Sequence, residues 1–122
     1  MHEISVEVTF SAAHRITLGN GEVDRLHGHN WKTVVSVRTD RLDENGLALD
    51  FGLLRRITRE VTQTLDHQDV NAVPPFDRLN PTAENVARWI FEEIQARLTE
   101  PHLQVSRVRV WEEEGVSAAY FV

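Results

Sequence analysis

Two long alternating runs, separated by a short glycine-containing loop, set what this chain can fold into. Between residues 2 and 12, Ile4, Val6, Val8, Phe10 and Ala12 share one parity, and Glu3, Ser5, Glu7 and Thr9 share the other. Successive side chains of a strand point to opposite faces, so this pattern is a half-buried strand. His14 continues the buried parity. Residues 15–26 hold Gly19-Asn20-Gly21 and several charges, and read as a loop. A second strand runs from about His27 to Thr39, with His27, His29, Trp31, Thr33, Val35 and Val37 on one face.

Periodicity then changes. Asp40 to Gly46 is a polar turn, and Asp50 can cap a helix whose stripe is Phe51, Leu54, Ile57, Val61 and Leu65. Asp66–Pro81, with Pro74, Pro75 and Pro81, is a long loop, and loops of that length in compact domains are often functional. Thr82 caps a second helix, with Glu84 in its first turn and Val86, Trp89, Ile90, Ile94 and Leu98 on its apolar side. Pro101 ends it. Two strands, roughly Leu103–Glu112 and Val116–Val122, close the chain around a turn at Gly115. The order β-β-α-α-β-β predicts an α+β fold with a four-stranded, largely antiparallel sheet and both helices on one face. At 122 residues it is expected to be a single domain spanning 1–122. Open sheet edges suggest association through strands.

Charge and cysteine content narrow the function. Lys+Arg 13 against Asp+Glu 19 gives −6, which argues against a broad nucleic-acid surface or an anionic membrane as partner. The absence of cysteine excludes disulfides, thiolate zinc sites and a cysteine nucleophile. With no signal-peptide pattern at the N-terminus and no apolar run of membrane length, a cytoplasmic location is expected.

Three groups of residues can carry chemistry. His27 and His29 project from one face of the second strand, and His14 ends the neighbouring strand on the same parity. Three imidazoles converging from two paired strands can bind Zn2+ and leave a fourth position open, the pattern of a catalytic ion. Gly28 between them leaves room for close approach. Spacing alone is also met by strand and loop histidines satisfied with hydrogen bonds, the commoner case for a lone His-x-His pair. Asp66-His67 can form a proton shuttle, or His67 can simply complement a helix C-terminus. Glu112-Glu113-Glu114 reads as a solvated turn, except that Glu112 shares the parity of Val108 and Val110.

Phe10-Ser11-Ala12-Ala13-His14, Leu26-His27-Gly28-His29-Asn30-Trp31, Asp50-Phe51, Leu65-Asp66-His67 and Asn80-Pro81-Thr82-Ala83-Glu84-Asn85 occur in that order. Together they resemble the 6-pyruvoyltetrahydropterin synthase and 6-carboxytetrahydropterin synthase family, from about residue 3 to residue 121. The resemblance implies the tunnelling fold, trimers stacked into a homo-hexamer, and active sites between subunits. It implies zinc on His14, His27 and His29, proton transfer by Asp66 and His67, and a pterin ring gripped by Glu112. Asp50 and Thr82, inside two shared motifs, are expected on the substrate side. The implied substrate is dihydroneopterin triphosphate; the carboxy branch feeds deazapurine nucleosides such as queuosine.

The chain departs from the family at one position. Bacterial members carry a catalytic cysteine four residues before His27, where this chain has Val23. Glu22 and Asp24 flank it. Some relatives use a glutamate in this loop and cleave the pterin side chain as an aldolase would, in the folate branch, and Glu22 could serve if the loop shifts. Family members usually have Glu-Thr where this chain has Glu112-Glu113. The resemblance therefore implies a zinc-dependent pterin lyase, with aldolase-like cleavage, a non-catalytic pterin- or purine-binding homologue, or a zinc hydrolase of a related heterocycle as alternatives.

Overall fold

β1 (His2–His14) and β2 (His27–Thr39) form an antiparallel ladder that pairs His2 with Thr39 at one end and His14 with His27 at the other. In this computed structural model, which describes all 122 residues, that register decides which faces are continuous. It sets Val6 opposite Val35, Phe10 opposite Trp31 and Ala12 opposite His29. The apolar parity of both strands is thus one continuous surface, with the three histidines at its end.

Two helices cover that surface. Helix α1 (Phe51–Gln63) starts on the Asp50 side chain, which accepts from Leu53 N–H, and packs against β1. Helix α2 (Ala83–Arg97) starts on Thr82 in the same way. It lies over β4 (Gln104–Glu113) and β5 (Val116–Phe121), a hairpin that turns at Gly115, whose φ is 82°. Only glycine adopts that left-handed backbone without strain. Leu54, Val61, Val86, Ile90 and Ile94 fill the layer between helices and sheet. Trp31, fully buried, stacks on Phe10 with ring centroids 5.8 Å apart and donates from Nε1 to the Ala12 carbonyl. No helix is long and apolar enough to cross a membrane.

The sheet differs from the expected one by a fifth strand. β3 (Gln68–Asp69) lies in the predicted loop and pairs in parallel with Ala12 and Ala13, giving the order β3-β1-β2-β4-β5. Two residues are too few for alternation to register, so only the tertiary register reveals the strand. A 3-10 turn at Val70–Ala72 follows, with Asp69 accepting from Asn71 N–H and Val70 fully buried. The helical stripe also departs at both ends: Phe51 stands 58% exposed, so the buried stripe starts only at Leu54, and Leu65, though buried, lies past the helix end at Gln63.

Thr33 is a polar flaw in the core. It pairs with Val8 and Val110, is completely buried, and its hydroxyl has no hydrogen-bond partner. An unmet buried hydroxyl costs about 1–3 kcal/mol. Thr33→Val, nearly the same in shape, is expected to raise the thermal midpoint. A scan that shows no rise would mean the hydroxyl is satisfied in solution.

Candidate active site

His14, His27 and His29 meet where β1 and β2 pair at their ends. Their donor atoms lie within 4.8 Å of one another, and ring centroids are 4.6, 5.3 and 4.9 Å apart in the three pairs. Trp31 walls the cluster from the core, its ring 4.9 Å from that of His14. His14 is fully buried, and its Nδ1 donates to the Pro81 carbonyl at 2.7 Å. His27 Nδ1 donates likewise to the Arg25 carbonyl at 2.7 Å. A carbonyl only accepts, so each neutral ring carries its proton on Nδ1 and turns a lone pair outward from Nε2. Nε2 of His14 and of His29 is buried with no partner.

That arrangement fits a metal ion. Ligating histidines ordinarily donate their second nitrogen to a carbonyl or carboxylate, which sets tautomer and ring orientation. Burial pushes the His14 pKa below its ordinary 6.5, against the raising effects of the Pro81 carbonyl and the Glu112 charge. The neutral, ligand-competent form is therefore favoured.

Residues 15–24 fold into a small hairpin beside the cluster. Asp24 N–H donates to the Ile16 carbonyl, Leu18 N–H to that of Glu22, and Thr17 bridges to Val23. Two asparagines clamp its first strand: Asn71 bonds both the N–H and the carbonyl of Arg15, and Asn80 does the same to Thr17. Val23 is 58% exposed, and the Glu22 side chain is also exposed. Asp24 turns inward: one oxygen accepts from Ile16 N–H at 2.7 Å and the other stands 3.8 Å from His27 Nδ1.

Asp66 and His67 touch. Asp66 Oδ1 accepts from the Ser11 N–H at 2.9 Å and stands 3.0 Å from His67 Nδ1. The Ser11 N–H, and then His67, hold the Asp66 carboxyl below its ordinary 3.8. His67 has a φ of 59°, and its N–H donates to the Ser11 carbonyl. A non-glycine residue in the left-handed region costs about 1–3 kcal/mol and persists only where its surroundings hold it. The His67 ring is largely exposed and lines an open cleft of ≈ 530 Å³ together with His29, Gly28, Ser11 and Asn30. A Cβ added at Gly28 would meet only the Ala12 carbonyl, at 3.8 Å, so the fold itself does not demand glycine there. Of the three clustered histidines only His29 lines this cleft, and Asp66 lies outside its wall.

Glu112 closes the other side. Despite a register shift between Trp111 and Glu113, its carboxylate stays on the core-facing side, 3.9 Å from His14 Nε2 and 3.8 Å from His29 Nε2. Asp50 and Thr82 use their side-chain oxygens on the N–H groups that open α1 and α2. Thr82 stands next to Pro81, whose carbonyl orients His14. Sequence reasoning missed the Pro81 and Arg25 carbonyls and the two clamping asparagines, since a backbone acceptor leaves no trace in residue types.

The fold and the site together define an α+β protein that carries three histidines in metal-binding geometry and a separate carboxylate–histidine pair. The chain belongs to the 6-pyruvoyl tetrahydropterin synthase family, whose model matches residues 3–121. A protein of Archaeoglobus fulgidus provisionally named 6-carboxy-5,6,7,8-tetrahydropterin synthase is 40% identical over 91% of this chain and 88% of its own length. A dihydroneopterin monophosphate aldolase of Pyrococcus furiosus is 32% identical over 89% of this chain and 88% of its own. The structure of Caenorhabditis elegans 6-pyruvoyl tetrahydropterin synthase superposes with a TM-score of 0.84 at 25% identity, covering 100% of this chain and 97% of that one.

Proposed function

We propose that this protein is a zinc-dependent lyase acting on dihydroneopterin triphosphate or a close relative. The carrying observation is the pair of buried, unpartnered Nε2 atoms on His14 and His29, with His27 completing the set. Three nitrogen donors and no thiolate suit zinc with an open position. Bound there, zinc would polarise side-chain oxygens of the substrate and ease loss of their protons. Asp66 would keep the His67 proton on Nδ1, freeing Nε2 to take and return a proton at the substrate carbon. The Glu112 carboxylate would receive the paired N–H edge of the pterin ring, where two parallel charge-assisted bonds are strong. Asp50 and Thr82 remain the substrate-side residues of this reading, each with an oxygen committed to a helix cap. Assembly into a hexamer would cover the exposed His67 and the sheet edges left open by β5 and by the two-residue β3.

Val23 and the Pyrococcus furiosus relative favour a second reading, aldolase-like cleavage of the side chain by a loop acid. Of the two acids flanking Val23, Asp24 is part-buried and reaches the Nδ1 edge of His27 at 3.8 Å, away from its metal-facing Nε2, while Glu22 faces solvent. Loss of a positioned general base costs about 10²–10⁴-fold in rate. Asp24→Asn is expected to show that loss and Glu22→Gln a loss below about tenfold. The reverse order would make Glu22 the base. The deciding experiment is metal analysis followed by mass spectrometry of products from dihydroneopterin triphosphate, its monophosphate and dihydroneopterin. A 6-carboxy or 6-pyruvoyl product supports the first reading and a 6-hydroxymethyl product the second. No product from the zinc-loaded protein would sink both and leave a pterin-binding homologue.

A further inference from the structure

His14 and Glu112 face one another with nothing to join them. With the His14 proton on Nδ1, bonded to the Pro81 carbonyl, the neutral ring turns a lone pair toward the Glu112 carboxylate 3.9 Å away. The other carboxylate oxygen stands 3.8 Å from His29 Nε2, which is also unpartnered. The two ring nitrogens are buried, where an unmet acceptor is costly, and a cation between them and the part-exposed carboxylate would satisfy both sides. No lysine or arginine supplies it, because the ion-pair contacts of Glu112 are to these two histidines. Protonating His14 does not resolve the contact either, since 3.9 Å is too long for an N–H···O bond.

A divalent ion resolves all of it. Donors at about 2.0–2.1 Å from a tetrahedral ion stand roughly 3.3–3.5 Å from one another. Toward His14 and His29, the Glu112 oxygens need move in by only about half an ångström to reach that spacing. Each already lies nearer the histidine nitrogen it faces, His14 or His29, than the 4.8 Å that spans the histidine donors themselves.

We propose that Glu112 closes the fourth position of the metal centre at rest, and opens it when a ring bearing adjacent N–H donors captures its carboxylate. The inference rests on the reading that the three histidines hold a divalent metal. One carboxylate cannot hold the ion and accept both ring hydrogens in full, so ring binding and metal closure compete. At 23% exposed, the Glu112 side chain is within reach of a ligand from solvent. The resting ion is then shielded from water, and its open position arises only with a ring in place.

Cobalt(II) tests this on the full chain, because its visible absorption reports coordination number. The wild type is expected to take up one cobalt with an intense four-coordinate band. In Glu112→Gln the affinity, measured by chelator competition, should fall by about 100-fold, at or above the upper end for losing a supporting group. Its band should weaken as water enters, with Glu112→Asp in between. Pterin itself, which lacks the reactive side chain, should move the wild-type spectrum toward that of Glu112→Gln and leave the variant's spectrum in place. Equal affinity and equal bands in Glu112→Asp, Glu112→Gln and wild type overturn the ligand role. A wild-type band unmoved by pterin that quenches tryptophan fluorescence overturns the release. A wild-type chain that takes up no cobalt overturns the metal reading itself.

Discussion

His14→Ala is expected to abolish zinc uptake and lower turnover by about 10²–10⁴-fold, since metal polarisation supplies several kcal/mol to the transition state and each 1.36 kcal/mol is tenfold. The expectation follows from what the side chain alone provides. His14 is the fully buried member of the triad, oriented by the Pro81 carbonyl, and its Nε2 has no other partner. A binding difference shows in stability as well. An ion present at 100 times its Kd stabilises a protein by about 2.7 kcal/mol, so zinc should raise the melting midpoint of the wild type and leave His14→Ala where it is. The pH dependence has a definite sign. Burial holds the folded-state pKa of His14 below 6.5, so its contribution to stability is complete above pH 6.5 and is lost as pH falls through the folded value. The metal-free wild type should therefore weaken below pH 6.5 by a component missing from His14→Ala. Zinc-dependent melting that persists in the variant would place the ion elsewhere.

What the sequence made legible depends on which physical rule each residue obeys. Alternation in β1 and β2 was enough to put His14, His27 and His29 on one face, and the observed register pairs His14 with His27 as that parity requires. Glu112 kept its parity through the register shift beside it. The caps at Asp50 and Thr82 were equally readable, because a capping side chain acts on its own chain a few residues on. Contacts across long separations were not readable. Whether Asp66 touches His67 depends on the Ser11 backbone, which accepts from the His67 N–H and donates to the Asp66 carboxylate from 55 residues away. The inward turn of Asp24 depends likewise on the hairpin that Asn71 and Asn80 clamp. Residue types mark where chemistry can occur; tertiary hydrogen bonds select which of the candidates face one another.

Asp66→Asn is the second large effect expected. Asp66 Oδ1 receives both the Ser11 N–H and the His67 ring, at 2.9 and 3.0 Å. An amide in its place can keep the Ser11 bond, but it loses the charge that would stabilise a protonated His67. Turned the other way, it offers N–H to Nδ1 and forces the opposite tautomer. In carboxylate–histidine pairs elsewhere, the same exchange lowers kcat by about 10⁴-fold through the wrong tautomer. Here a loss of about 10²–10⁴ is expected, with metal content unchanged. Because the Ser11 N–H and His67 hold the Asp66 carboxyl below 3.8, it stays ionised throughout the neutral range, and the ratio of wild-type to variant rates should not change with its titration there. In stability the sign is that of a depressed acid: its contribution is present above 3.8 and lost as pH falls through the folded value. The double variant with His67→Asn separates a working pair from two independent residues. Groups that act as a unit are strongly non-additive, so the double variant should be about as slow as the slower single variant. Rate losses that multiply would mean that Asp66 merely braces the turn through Ser11 while His67 works unaided.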